Sequence, residues 1–403
     1  MTQPALPSYS SGTSDAPLLG DTIGGNLERT VATHGDREAL VDVPSGRRWT
    51  YRELLTDVDA VARGFMAKGV SAGDRVGIWS PNCAEWTILQ YATARVGAVL
   101  VNINPAYRTH ELAYVLNQSG VQMLIAATEF KTSDYQAMVA EVRPQTPQLT
   151  ETVFLGTADW HQLRAKAVSE HELRQRQASL VNTDPINIQF TSGTTGMPKA
   201  SKMTHLRWNK AMVAFGLSGA RLRSTDTLYC PLPLYHNNAL TVALSAVLGA
   251  GGCLAIGEKF SAKRFWDEIV GFDATAFIYI GELCRYLLGQ PVRPQEREHN
   301  LRMIMGNGLR PEIWKELQER FNIPRVCEFY AASESPVAFV NAFSVDSTAG
   351  FTTVPHKIVK VDTDTEELGN NQLVVRVQPD GRLVEDVGDV GQGRPEMADH
   401  LDP

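Results

Sequence analysis

The sequence has little that would suit a disulfide scaffold, a metal cluster or a nucleic-acid surface. Its five cysteines lie far apart and form no CxxC or Cys/His pattern: Cys83, Cys230, Cys253, Cys284 and Cys327. Such spacing indicates buried thiols of a reducing compartment. The 38 Lys and Arg residues are outnumbered by 45 Asp and Glu, and the formal net charge is −7. Because no basic run stands out either, the composition argues against nucleic acid as a partner.

The chain also has little that is typical of an exported or membrane-spanning protein. Residues 1–24 are mostly polar and show neither the basic start nor the apolar core of a signal peptide, and we interpret them as disordered. The uncharged stretch 237–257 is long enough to suggest a membrane span. Gly249, Gly251 and Gly252 instead predict a break between a helix and a strand. We expect a cytoplasmic protein, and peripheral attachment to the inner membrane face stays open as an alternative.

What the sequence does have is a long alternation of strand-like and helix-like patterns. Its 403 residues, 43% of them hydrophobic, suffice for more than one domain. Residues 25–180 and 181–344 each alternate, which indicates α/β subdomains with doubly wound, mostly parallel sheets packed together. Local signals include a capping box at Thr50 and Glu53 and a helix cap at Ser261. Residues 345–390 predict the antiparallel hairpins of a small barrel, and 391–403 form a polar tail.

Four segments of the second region follow directly after predicted strands. Ligands of open parallel sheets lie beyond the carboxyl ends of the strands, so we expect these segments to line one crevice. They are "TSGTTGMPKA" at 191–200, the segment at His236, "GNGL" at 306–309 and "YAASE" at 330–334.

The segment "TSGTTGMPKA" has a composition suited to phosphate. Its glycines let backbone N–H groups approach an anion, its hydroxyls donate hydrogen bonds and its lysine supplies a cation. It is not a Walker loop, because Pro198 stands where that pattern has Gly. A flexible surface loop is the alternative, and the position between a predicted strand and a helix from Thr204 favours phosphate binding. The residues suited to the anion are Thr191, Ser192, Gly193, Thr194, Thr195, Gly196 and Lys199.

The stretch "FTSGTTGMPKA" resembles the signature of AMP-forming acyl-adenylate enzymes, the superfamily of acyl-CoA synthetases, peptide-synthetase adenylation domains and luciferases. The resemblance covers roughly residues 25 to 390. The first half, through "GDRVGIWSPNCAEW" and "VNINPAYRTHEL", is similar to medium-chain acyl-CoA synthetases. From about residue 199, "LPLYHNNAL", "GNGLRPEIW" and "EFYAASE" are similar to the fatty acid transport protein and very-long-chain acyl-CoA synthetase branch. This switch suggests a mosaic chain.

The resemblance implies a role for each of the remaining segments. Tyr330 stacks on adenine, Ser333 reaches the α-phosphate and Glu334 holds Mg²⁺. His236 lies near the carboxylate being activated, at the mouth of an acyl tunnel. The segment that passes the adenine consists of Gly306, Asn307, Gly308 and Leu309. The candidate catalytic residues are His236, Lys199 and Glu334.

The residues by themselves leave other roles open for some of these positions. Tyr330 could be a core aromatic at the end of a strand, and His236 could be a loop histidine with a structural role. After Glu334 the branch usually has Gly-Asn, whereas this chain has Ser335-Pro336. Because Pro336 restricts φ, the loop geometry of the branch does not transfer directly.

The resemblance as a whole implies an AMP-forming fatty acid–CoA ligase. Its small-molecule partners are a fatty acid, ATP and coenzyme A, with Mg²⁺ as the metal. The family pattern continues with a Thr-Gly-Asp, a hinge and a small C-terminal domain with a catalytic lysine, which we expect to be missing here. Gly388-Asp389 predicts a hairpin turn instead. We therefore expect slow adenylation and slower thioester formation, and a non-catalytic protein that binds nucleotide and fatty acid is the alternative.

Overall fold

The computed structural model describes residues 20–191, 197–333, 335 and 337–354, together with short strands between 359 and 385. The chain forms two compact units, Met1–Phe351 and Thr352–Pro403.

The first unit is built from helices and strands that alternate along the chain. Its α-helices are α1 (Ile23–His34), α2 (Tyr51–Ala67), α3 (Glu85–Val96), α4 (Thr109–Ser119), α5 (Tyr135–Val142), α6 (Ala158–Ala165), α7 (Glu170–Ala178), α8 (His205–Ala211), α9 (Leu244–Gly249), α10 (Phe265–Gly271), α11 (Gly281–Leu288) and α12 (Pro311–Phe321). Its strands are β1 (Glu38–Asp42), β2 (Arg47–Thr50), β3 (Arg75–Trp79), β4 (Val99–Ile103), β5 (Met123–Ala126), β6 (Glu129–Phe130), β7 (Ser133–Asp134), β8 (Glu151–Phe154), β9 (Pro185–Thr191), β10 (Lys199–Thr204), β11 (Thr227–Cys230), β12 (Cys253–Ile256), β13 (Ala276–Ile280), β14 (Met303–Asn307), β15 (Val326–Ala331) and β16 (Ala338–Val340).

The strands form two large sheets. The six-stranded sheet has the order β10-β9-β4-β3-β5-β8, and its strands are parallel except for the β9–β10 hairpin at one edge. The eight-stranded sheet has the order β16-β15-β14-β13-β11-β12-β1-β2, parallel except at its two outer pairs. The expectation of two mostly parallel, doubly wound sheets is confirmed.

One hydrophobic core lies between the two sheets, and each sheet has a second core on its outer face. In β5, Met123 and Ile125 belong to the shared core, whereas Leu124 and Ala126 pack on the outer side against α4 and α5. Successive strand residues point to opposite faces, so a strand covered on both sides needs apolar residues at every position. The outer core of the eight-stranded sheet includes residues of α10, α11 and α12.

Local capping predictions have mixed outcomes. Thr50 and Glu53 form the predicted capping box at the start of α2, whose buried face carries Leu54, Val58 and Phe65. The cap predicted at Ser261 is wrong. Helix α10 begins at Phe265 without a side-chain cap, and the backbone carbonyl of Ser261 accepts the N–H of Phe265 at 2.9 Å.

The region after "TSGTTGMPKA" also differs from the prediction. The chain first forms β10, which pairs antiparallel with β9, and only then enters α8. The helix continues as a π-helix, Met212–Ala220, whose last carbonyls accept hydrogen bonds from Arg325. Residues 237–257 contain a second π-helix, Asn238–Ala243, followed by α9 and β12. Among the described residues there is no helix with the length and apolar character needed to cross a membrane.

The second unit contributes four described strands: β17 (Val359–Val361), β18 (Leu368–Gln372), β19 (Val375–Val377) and β20 (Leu383–Glu385). β17 pairs antiparallel with β18, and β19 pairs antiparallel with β20. Antiparallel hairpins were expected here. The turn predicted at 388–389 lies outside the described residues.

Candidate active site

The β9–β10 hairpin carries the phosphate-loop candidate. Thr191 ends β9 and lies opposite Lys199, the first residue of β10. The Thr191 hydroxyl donates a hydrogen bond of 3.4 Å to the carbonyl of Lys199, and the Lys199 side chain is exposed. Ser192, Gly193, Thr194, Thr195 and Gly196 lie outside the described residues. The hairpin therefore fixes the two ends of the loop and leaves the lysine ammonium in solvent.

His236 lies in the loop between β11 and the second π-helix. The residue is exposed at the surface, yet partial desolvation by nearby protein atoms lowers the pKa of the imidazole. The Tyr235 and His236 rings lie 4.0 Å apart between centroids. Because its pKa lies below the ordinary value of 6.5, the uncharged form of the imidazole is favoured at neutral pH.

The Asn82 carboxamide holds this loop in place from the other sheet. Its Nδ2 donates to the carbonyls of Leu232 (2.9 Å) and Gly257 (3.0 Å), and its Oδ1 accepts the N–H of Leu234 at 2.8 Å. Asn82 follows β3 of the six-stranded sheet, whereas the three backbone groups belong to loops of the eight-stranded sheet. A single side chain therefore ties the His236 loop across the two sheets.

Two adjacent asparagines extend from the His236 loop to the other motif segments. Asn237 donates from Nδ2 to the Ser333 hydroxyl at 2.7 Å. Asn238 donates from Nδ2 to Oδ1 of Asn307 at 2.8 Å. The described parts of the predicted crevice, at His236, at "GNGL" and at "YAASE", are thus in direct contact.

The backbone of Ser333 is held from the phosphate-loop side. The Ser201 hydroxyl, on β10, donates to the Ser333 carbonyl at 2.7 Å. The Arg207 guanidinium, on α8, donates to the same carbonyl at 2.7 Å and to the Ser335 carbonyl at 2.9 Å. Hence the strand and the helix that follow the phosphate loop also determine where the "YAASE" segment lies.

The "GNGL" segment crosses the end of β14 in a backbone shape that only glycine permits. A Cβ atom at Gly306 would lie 2.2 Å from the Tyr279 carbonyl, and one at Gly281 would lie 1.6 Å from the Gly308 carbonyl. Gly308 itself has φ of +82°, in the left-handed region. The N–H groups of Gly308 and Leu309 both donate to Oε1 of Glu328.

Tyr330 projects from the end of β15 with 66% of its surface exposed. Its ring meets Phe339 of the neighbouring strand edge-on, with centroids 6.4 Å apart. The core-aromatic alternative is therefore wrong for Tyr330, because one face of the ring remains open to a ligand.

The predicted metal ligand, Glu334, lies outside the described residues. Among the residues that the structure does describe, no group of three or more His, Cys, Asp or Glu side chains is placed to hold a metal ion. A Mg²⁺ ion bound by one carboxylate and by substrate phosphates needs no such cluster.

Several residues that shape this crevice were not predicted from the sequence. Asn237 and Asn238 were visible as two carboxamides directly after His236 in "LPLYHNNAL", and that adjacency was an available signal. The others carry no local signal, because their partners are distant in the chain: Asn82, Ser201, Arg207 and Glu328.

The fold and these contacts define an α/β protein with two doubly wound sheets, whose motif segments meet at the carboxyl ends of the strands, where proteins of this architecture bind their ligands. Residues 27–376 match the family described as AMP-binding enzyme, and the chain belongs to that family.

The chain is also similar to individual proteins of this class. It is 44% identical over 362 residues to the medium/long-chain-fatty-acid–CoA ligase FadD6 of Mycobacterium tuberculosis, over 89% of this chain and 59% of that protein. It is 37% identical to human long-chain fatty acid transport protein 1, over 87% of this chain and 55% of that protein. The chain thus spans less than two thirds of these relatives. The N-terminal domain of FACL13 from M. tuberculosis shares the fold, with a TM-score of 0.72 at 22% identity, over 87% of this chain and 86% of that domain.

Proposed function

We propose that this chain is the nucleotide- and acyl-binding portion of an AMP-forming fatty acid–CoA ligase. In the first step a carboxylate oxygen of the fatty acid attacks the α-phosphorus of ATP. The bond between that phosphorus and the bridging oxygen breaks, so acyl-AMP forms and pyrophosphate leaves. In the second step the thiol of coenzyme A attacks the acyl carbon, the C–O bond to AMP breaks, and the thiol proton passes to solvent.

The observation that carries this proposal is the paired contact made by Asn237 and Asn238. Two successive residues, directly after His236, hold Ser333 on one side and Asn307 on the other. The reaction needs the carboxylate, the α-phosphate and the base of the nucleotide at fixed mutual distances, since precise orientation supplies much of the rate gain in a two-substrate reaction. A short rigid link between the three segments supports that arrangement.

The hydrogen-bond pattern around Ser333 supports its proposed contact with the α-phosphate. Its hydroxyl oxygen accepts the hydrogen bond from Asn237. A hydroxyl that accepts one bond still has its own proton to donate. Ser333 can therefore donate to a phosphate oxygen without losing its support from Asn237.

The remaining roles follow the chemistry of each group. The phosphate loop and Lys199 would contact the triphosphate, and the exposed ring of Tyr330 would stack on adenine. His236, uncharged near neutrality, would donate a hydrogen bond to the substrate carboxylate without neutralising it as a nucleophile. Glu334 would hold Mg²⁺, which supplies positive charge to the phosphates when bound. The fatty acid is proposed as substrate because one relative is named a medium/long-chain-fatty-acid–CoA ligase and the other a long-chain fatty acid transport protein.

The test is fatty-acid-dependent exchange of labelled pyrophosphate into ATP, with acids from medium to very long chain. We expect exchange that requires the acid and that falls sharply in Lys199→Ala. The matched control is Lys202→Ala, because Lys202 is also exposed on β10 but points to the opposite face of the hairpin. Binding of ATP and fatty acid without any exchange would favour the non-catalytic alternative. A folded protein that binds neither ligand would contradict both functions.

A further inference from the structure

The carboxyl group of Glu328 is buried directly behind the "GNGL" segment. Glu328 lies on β15, opposite Gly306 of β14, and its side chain is 6% exposed. Its Oε1 accepts the N–H groups of Gly308 and Leu309, the latter at 3.2 Å. Its Oε2 accepts the hydroxyl of Tyr279, on β13. Every described partner of this carboxyl group is thus an uncharged donor.

Among the described residues, the groups that face the Glu328 carboxyl group are uncharged, so it forms no ion pair with them. Besides Tyr279 they include the thiol of Cys284, on α11, whereas Cys327, the neighbour of Glu328 on β15, points to the opposite face of the sheet. Burial raises the pKa of the Glu328 carboxyl to about 7, although the three hydrogen bonds act to lower it. A buried carboxyl group without a counter-charge is costly, so its retention calls for a specific reason.

The turn at residues 308–309 supplies such a reason. β14 ends at Asn307, and beyond it the N–H groups of Gly308 and Leu309 leave the strand ladder. The N–H of Leu309 is buried and needs an acceptor. Glycine is free to adopt many backbone conformations, so Gly308 keeps one shape only if its surroundings determine it. One carboxyl oxygen accepts both N–H groups and therefore determines the direction of the turn.

We propose that Glu328 is a positioning residue for nucleotide binding, and that its Oε1 holds the Gly308–Leu309 turn in the shape that receives the base of the nucleotide. The inference rests on the proposed function, which assigns the segment 306–309 to the adenine. Glu328 acts here as a hydrogen-bond acceptor, and its negative charge is not required.

This distinction predicts different behaviour for two substitutions. Glu328→Gln keeps an oxygen that can accept both N–H groups, while its NH₂ group can donate to the Tyr279 hydroxyl. Glu328→Ala leaves both N–H groups without an acceptor. Tyr279→Phe is the matched control, because it removes the other hydrogen bond of the same carboxyl group and leaves both bonds to the turn.

The experiment measures AMP binding and fatty-acid binding by calorimetry for the full chain and the three variants, after circular dichroism has shown each to be folded. We expect Glu328→Ala to weaken AMP binding about tenfold or more, with fatty-acid affinity unchanged. Glu328→Gln and Tyr279→Phe should bind AMP within about threefold of the original chain.

The outcomes separate this inference from the proposed function. If the unsubstituted chain does not bind AMP, the proposed function is wrong. If it binds AMP and Glu328→Ala binds equally well, only the positioning role is wrong. Equal losses in Glu328→Gln and Glu328→Ala would contradict the acceptor role and indicate a requirement for charge. Should Glu328→Ala not fold, Glu328→Gln remains decisive, since tight AMP binding supports the acceptor role and weak binding overturns it.

Discussion

The carboxamide of Asn237 donates a hydrogen bond of 2.7 Å to the hydroxyl of Ser333, although 96 residues separate them in the chain. The same carboxamide accepts the hydroxyl of Thr241 at 2.7 Å, so it is held from both ends. The bond directs the lone pair of Ser333 toward Asn237 and leaves the hydroxyl proton for a ligand. The His236 loop thus determines the donor direction of a residue in a different segment.

This relationship predicts coupling between Asn237 and Ser333. Asn237→Ala should slow pyrophosphate exchange about tenfold, because the Ser333 hydroxyl loses its fixed direction. Ser333→Ala removes the same donor altogether, so adding Asn237→Ala to it should cause little further loss. Exchange rates of the two single variants and the double variant measure the coupling. Fully additive losses would show that Asn237 acts elsewhere.

Arg207 provides a second prediction, since it holds the same segment through backbone carbonyls. Its guanidinium donates to the carbonyls of Ser333 and Ser335. Both bonds come from one nitrogen, Nη2. A lysine keeps the charge, but its side chain is one bond shorter and stops short of that position, so Arg207→Lys should weaken Mg·ATP binding nearly as much as Arg207→Ala, about tenfold. Lys210→Ala, an exposed cation on the same helix, is the control and should have no effect. Normal binding by Arg207→Lys would indicate that charge alone suffices.

The roles proposed for Tyr330 and Glu334 can be separated by comparing two nucleotides. Glu334→Gln should weaken the Mg²⁺-dependent part of ATP binding and leave AMP binding nearly unchanged, because the proposed partner of the carboxylate is the metal. Tyr330→Ala should weaken both nucleotides, since stacking on adenine does not depend on the phosphates. Calorimetry with and without Mg²⁺ makes the comparison. Equal losses of ATP and AMP in both variants would contradict the division of roles.

The contact between Gly281 and Gly308 predicts a steric effect. A Cβ atom at position 281 would overlap the Gly308 carbonyl, so Gly281→Ala should destabilise the fold by about 1 to 3 kcal/mol and weaken AMP binding. Gly289 follows the other end of α11, and a Cβ atom there would approach no atom closer than 3.6 Å. Gly289→Ala should change the free energy of unfolding by less than about 1 kcal/mol. Denaturant melts of both variants test this, and equal stabilities would contradict the tight approach.

The buried imidazole of His205 leads us to expect that the protein loses stability in acid. Its Nδ1 accepts the N–H of Ile23 at 3.0 Å, so the neutral ring carries its proton on the buried Nε2. Burial lowers the pKa of His205 from 6.5 to about 4. The imidazole is therefore protonated more easily in the unfolded chain than in the folded one. The free energy of unfolding should be highest above pH 6.5 and should fall by about 3 kcal/mol at most as the pH is lowered toward 4.

The test is the free energy of unfolding measured across that pH range. His205→Gln should show a shallower acid loss than the original chain, because it has no imidazole to protonate. His161→Gln, at an exposed histidine, should keep the original slope. Parallel curves for all three proteins would show that His205 does not cause the acid loss.

Much of the fold was predictable because its signals are local. The capping box of Thr50 and Glu53 and the alternation of strands and helices depend on residues within a few positions of one another. β10 was missed because "KASKMT" has no clear apolar alternation, and it becomes a strand by pairing with β9. Likewise, no local pattern shows that β1 and β2 join the eight-stranded sheet beside β12, about 200 residues further along the chain.

For the active site, the sequence by itself determined which chemical groups are present and that each motif stands at the end of a strand. The roles of the hydroxyl-rich loop, His236, "GNGL" and "YAASE" are predictions from residue types and resemblance. Only the tertiary structure decided which side chains hold these segments together: Asn82 across the two sheets, Ser201 and Arg207 on the Ser333 carbonyl, and Glu328 behind Gly308. The physical reason is that a hydrogen bond forms only when its two groups, here 20 to 175 residues apart in the chain, are placed to within a few tenths of an ångström. Their positions are set by the packing of the two sheets on their shared core.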